Sequence, residues 1–151
     1  LLSASWEKRD STVLTKNEFL QNINDNYAEM AKFGIEKDDA PFYLPPYEWY
    51  NCEIAEWCEE IGLILINFSP GTYSNQDWSH PELGKGYYSS DFIYDKILKY
   101  EEENGMNGFI LLSHIGATPK RPDKFYLRLD DLITELKQRG YQFELLDMAE
   151  F

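Results

Sequence analysis

The chain has 151 residues, 14 of them basic and 27 acidic, and a net charge of −13 at neutral pH. A surface of that sign repels phosphate backbones and anionic headgroups, so nucleic acid is excluded as a partner and an anionic membrane surface is a poor one. Hydrophobic residues make up 43%, enough to give residues 1–151 the core of a single domain or of part of one, and no apolar run approaches the ~18 residues of a membrane span.

The opening Leu1-Leu2-Ser3-Ala4-Ser5-Trp6-Glu7 has neither the basic start nor the apolar stretch of a signal peptide. It also lacks an initiator methionine, so the chain reads as beginning inside a longer protein. Thr15-Lys16-Asn17-Glu18 is a capping box. The stripe Phe19, Ile23, Tyr27 and Met30 continues it as an amphipathic helix that Gly34 ends. Ala40 to Leu44 reads as a short extended run before Pro45-Pro46. Asn51 opens a second helix, closed by Gly62, and Leu63 to Phe68 reads as a buried strand. A long loop, Ser69 to Tyr88, leads to a third helix starting near Ser89 or Ser90. The run Phe109 to Ser113 is the next expected strand, and a polar loop with Pro119 and Pro122 follows. A fourth helix spans about Lys124 to Arg139, and Gln142 to Leu146 is the last expected strand. The order α-β-α-β-α-β-α-β implies an α/β fold with about four parallel strands and four helices.

Three segments follow strands and should gather on one face, where α/β folds build their sites. They are Leu44 to Asn51, Asn67 to His80, and Leu112-Ser113-His114. The chain has only two histidines, so chemistry near neutral pH has few carriers. A histidine beside an aspartate is held in one tautomer with its conjugate acid stabilised, which suits His114 and Asp77 to general acid work. Trp78, Trp49 and Tyr47 offer ring faces that fit the apolar faces of sugars. Plainer readings stand beside each of these: His114 as a capping or core-edge residue, Asp77 as an Asx-turn, the aromatics as packing under loops, His80 as a solvated residue before Pro81, and Glu101-Glu102-Glu103 as a solvated helix end. Cys52 and Cys58 lie ~9 Å apart along a helix axis and ~240° around it, which disfavours a disulfide, and their spacing suits no zinc site. Neither a P-loop nor a G-x-S-x-G elbow is present. The chain offers no H-x-x-x-H or H-E-x-x-H pair to hold a metal.

In this order the three segments resemble the second half of the polysaccharide deacetylases, the NodB-homology or family-four carbohydrate esterases. Leu44-Pro45-Pro46-Tyr47 is similar to that family's R-P-P-Y motif, Asn75-Gln76-Asp77-Trp78 to its D-x-x-D-W, and Leu112-Ser113-His114 to its L-x-H. The closing stretch Leu132 to Phe143 resembles the family's last helix and strand. The likeness runs from about residue 15 to residue 147.

The resemblance implies a distorted (β/α) barrel, here its C-terminal part, that removes acetyl groups from a polysaccharide. It implies a divalent metal, zinc in most members, whose Asp and H-x-x-x-H ligands are expected upstream of Leu1, and a secreted or periplasmic location. His114 would then be the general acid, with Asp77 tuning it. Leu112 and Trp78 would line the acetyl pocket, and the backbone N–H of Tyr47 would face the oxyanion. Two positions depart from the family pattern: Leu44 replaces its arginine, and Glu48 replaces the glycine after its tyrosine. Those departures motivate an alternative, a non-catalytic glycan-binding module with Trp49, Trp78 and Tyr47 as its platform. A third expectation is an interaction domain that pairs with an upstream segment or another chain, since half a barrel leaves an apolar edge exposed.

Overall fold

The computed structural model describes residues 11–146; the opening stretch read for a signal peptide lies outside them. Two compact units divide the chain between Asn67 and Phe68.

In the first unit the capping box forms as its sequence requires. Thr15 Oγ1 accepts the Glu18 N–H at 3.3 Å, and the Glu18 carboxylate accepts the Thr15 N–H at 2.8 Å. Helix α1, Lys16–Ala31, follows and buries Phe19 and Ile23. Helix α2, Cys52–Glu60, is capped by Asn51, whose side chain accepts the Ile54 N–H at 3.0 Å. Ile54, Trp57 and Cys58 meet Phe19, Ile23 and Leu63 in one apolar core. Phe19 stands edge-on to Tyr43, with ring centroids 5.6 Å apart. Strands β1, Phe42–Tyr43, and β2, Ile64–Leu65, pair in parallel with Phe42 opposite Ile64. The Ile66 N–H extends the ladder to the Tyr43 carbonyl at 2.9 Å. Parallel neighbours need a crossover, and α2 supplies it.

In the second unit Ser89 caps helix α3, Ser90–Asn104, and a 3₁₀ turn, Phe125–Arg128, leads into helix α4, Leu129–Gln138. Ile93, Ile97, Met106, Phe125, Leu132 and Leu136 make its core. The long loop before α3 is ordered by two 3₁₀ turns, Ser74–Gln76 and Pro81–Gly86. It starts at Gly71, with φ +116°, where a Cβ would stand 2.6 Å from a Tyr100 ring carbon. Only glycine fits both the backbone angle and the contact.

Neither the four-stranded parallel sheet expected from the element order nor the barrel that the resemblance implies is the fold. Among the described residues the sheet has two strands of two residues each, not four. The runs 109–113 and 142–146 are not strands. An apolar run records what a strand would bury; the ladder also needs a second backbone beside it. The run 109–113 is only half-buried, Phe143 and Leu145 are exposed, and Ile110 bonds to Ser69: the Ser69 N–H to the Ile110 carbonyl at 2.9 Å, and the Ile110 N–H to Ser69 Oγ at 3.1 Å. One bond to a side chain does not continue a ladder. The acidic end of α3 is solvated at Glu102 and Glu103, as expected, and departs from that reading at Glu101. Glu101 is largely covered and bonds Arg139 and the Tyr141 hydroxyl.

No helix among the described residues is long and apolar enough to cross a membrane.

Candidate functional site

The turn that carries Asp77 is built from its own backbone. The Asp77 N–H reaches the Ser74 carbonyl at 3.3 Å, and the Ser79 N–H reaches that of Gln76 at 3.0 Å. Tyr73 enters the turn with φ +61°, a left-handed conformation uncommon for a side chain of its size, and its ring stacks 4.7 Å from that of Tyr88. The turn leaves the Asp77 carboxylate in the interior, 1% exposed.

Both Asp77 oxygens go to one residue. Oδ2 accepts the backbone N–H of His114 at 2.7 Å, and Oδ1 lies 2.6 Å from His114 Nδ1. The contact suits the tautomer with its proton on Nδ1, which leaves Nε2 as the atom to exchange one. The backbone contact fixes where the residue begins and the ring contact fixes how the imidazole turns. The His114 side chain is 35% exposed, so one edge of the ring faces outward. Asp77 is therefore not the Asx-turn residue that its isolation suggested, and the two residues singled out in the sequence do meet.

An open pocket of about 610 Å³ lies at this edge, lined by Trp78, His80, Ser113 and His114 and by 115–118. Trp78 is about half exposed on its wall. His80, expected to be solvated, is partly buried there, and its Nδ1 is covered without a hydrogen-bond partner. Leu112, expected to line an acetyl pocket, is half-buried and is not among the lining residues. Tyr47 and Trp49 belong to the first unit. There Tyr47 is exposed and stacks 6.3 Å from Trp49, while Leu44 is also exposed. Tyr47 and Glu48 are consecutive left-handed residues, with φ of +59° and +58°. Such positions cost of order 1–3 kcal/mol each and cluster where a loop is held for a purpose. The Glu48 carbonyl accepts the Asn67 side-chain amide at 3.0 Å, which helps hold that turn.

A buried arginine beside the site has no signature in the sequence. The Arg121 side chain is fully covered. Its Nη1 donates to the carbonyls of Ser79 at 2.7 Å and Tyr88 at 3.0 Å, its Nε to that of Asp123 at 2.6 Å, and its Nη2 to Ser90 Oγ at 3.0 Å. The Asp123 carboxylate lies 3.5 Å from the guanidinium and also accepts from the Tyr87 hydroxyl and the Ser90 N–H. Burial pushes the Asp123 carboxyl up, but the bonds from Ser90 and Tyr87 and the charge of Arg121 outweigh it and hold the group below its ordinary value. Burial and the bond to Asp123 push the Tyr87 hydroxyl up. Residues 115–124 read as a polar loop with Pro119 and Pro122, and no periodicity marks which of its charges turns inward.

Among the described residues no group of three or more His, Cys, Asp or Glu could hold a metal ion. The resemblance assigns that metal's ligands to residues upstream of Leu1, and no step proposed for His114 or Asp77 passes through it. No family model, curated protein or solved structure matches the chain.

Proposed function

We propose that His114 is the general acid of a hydrolase that removes acetyl groups from a polysaccharide, with Asp77 as the residue that aims it. The observation that carries this reading is the double contact of one buried carboxylate with the backbone and ring of one histidine. Water adds to the acetyl carbon and its surplus proton passes to solvent; when the acetyl carbon–nitrogen or carbon–oxygen bond then breaks, acetic acid leaves and the electron pair stays on the sugar nitrogen or oxygen. That atom needs a proton, and Nε2 of the imidazolium gives it. Proton transfer from a positioned side chain contributes about 10²- to 10⁴-fold to rate. Trp78, half exposed beside His114, supplies a ring face for the sugar that carries the acetyl group.

The test is acetate release from acetylated chitooligosaccharides and acetylated xylan by the intact gene product. His114→Ala is expected to lower kcat by at least about 100-fold while the protein stays folded. Unchanged acetate release in that variant would refute the assignment.

A second reading is binding without turnover, and exposed Tyr47, on its strained turn against half-buried Trp49, favours it. Here Trp49→Ala abolishes oligosaccharide binding and no acetate is released by the unaltered protein.

A further inference from the structure

We infer that Arg121 is a positioning residue for the Asp77–His114 pair, stapling together the two chain segments that carry it. Asp77 and His114 lie on either side of α3 in sequence, so chain connectivity alone does not fix their spacing. The Arg121 side chain reaches across to the stretch that carries Asp77, and its backbone belongs to the loop that leaves His114. Its Nη1 donates to the Ser79 carbonyl at 2.7 Å, and Ser79, itself fully buried, closes the turn that holds Asp77. Its backbone N–H donates to the Thr118 carbonyl at 3.0 Å, four residues past His114 and on the pocket wall. Lys124 Nζ reinforces the same wall at the Ala117 carbonyl, at 3.0 Å.

A buried guanidinium is a costly way to fill space: removing an ion from water costs several kcal/mol even after relaxation. Its nearest carboxylate, at 3.5 Å, is only a loose partner. Most of its short contacts are to neutral acceptors, three carbonyls and one hydroxyl. What a guanidinium offers over lysine or methionine is a rigid planar fork of five donors that sets several acceptors at once. Carbonyls spaced by that fork fix the Ser79 end of the Asp77 turn, and through it the carboxylate that orients the imidazole. A displacement of ~1 Å at a reacting group is enough to cost about 100-fold in rate.

The kinetic consequence rests on the general-acid role proposed above; the imidazole geometry does not. The chain's two histidines make nitrogen-15 NMR of the imidazoles decisive. The unaltered chain is expected to show a downfield Nδ1–H proton signal, protected from exchange and absent in His114→Gln. In Arg121→Met, folded by circular dichroism, that signal broadens or disappears. Arg121→Lys keeps the charge but not the fork, and behaves the same way. In the intact gene product kcat for acetate release falls about 10- to 100-fold, with KM nearly unchanged. A downfield signal that survives unchanged in a folded Arg121 variant overturns the positioning role. Failure of both variants to fold also overturns it, since Arg121 is then a residue of the core alone. Absence of the signal in the unaltered chain overturns the Asp77–His114 geometry on which the role depends. If the NMR effect appears but acetate release is unaffected or absent, the positioning role stands and the general-acid reading fails.

Discussion

The two units bury different kinds of side chain. Before Phe68, the buried described residues are apolar: Phe19, Ile23, Ile54, Trp57, Cys58 and Leu63, together with Pro45. After it, Thr72, Ser74, Asp77, Ser79, Ser90 and Arg121 are buried as well as an apolar core. Apolar burial stabilises a fold without caring much about direction, whereas a buried polar group must be met by a partner at a set distance and angle. The second unit therefore accepts a cost that the first avoids, and what it gains is geometry: one carboxylate aimed at one imidazole, and one arginine holding the turn that presents it. Partners with such fixed positions are where chemistry is expected, which is why the first unit reads as scaffold and the second as the bearer of the site.

Substitutions that separate rate from stability sharpen this contrast. Asp77→Asn has the largest expected effect. The amide presents a donor toward Nδ1, so the ring carries its proton on Nε2 in the neutral form and loses its anionic partner. Acetate release is expected to fall about 10²- to 10⁴-fold, while the denaturant midpoint moves little. Equal losses of stability and rate would instead make Asp77 a structural residue. Ile54→Ala is the converse. It empties a fully buried site in the first core and is expected to cost about 2–5 kcal/mol in urea unfolding, with kcat of the folded protein unchanged. A drop in kcat there would break the division between scaffold and site. The smallest effect concerns acid. Asp123 has its carboxyl held below the ordinary value in the folded chain, so its contribution to stability is present above the unfolded-state value of ~3.9 and is lost as pH falls through the lower folded value. The melting-temperature difference between the unaltered chain and Asp123→Asn is expected to be constant from about pH 5 to 8 and to shrink below about pH 4. A difference that grows on acidification would contradict that direction.

How much was legible in the sequence follows the same line. Helix starts were plain, because a cap is a local event: Thr15, Asn51 and Ser89 each hold an N–H three residues on. The meeting of Asp77 and His114 was expected as well, although by way of a barrel that the structure does not have. The strands at 109–113 and 142–146 were misread because alternation and apolar runs carry no information about the second backbone. His80 was misjudged and Arg121 went unmarked for a related reason. Each lies in a loop with proline and no period, and the inward turn of Arg121 is decided by acceptors far away in the chain, Ser79 and Tyr88.

The cysteines give the molecule a reporter of its own. Cys52 stands exposed at the start of α2, while Cys58 lies 1% exposed in the first core, its thiol pushed up to about 11 by burial. With thiolate scarce at that position near neutral pH and no path for reagent, maleimide chemistry is confined to a single handle while the core holds. Uptake of a second equivalent then times the opening of that core, with no engineered dye and no foreign residue.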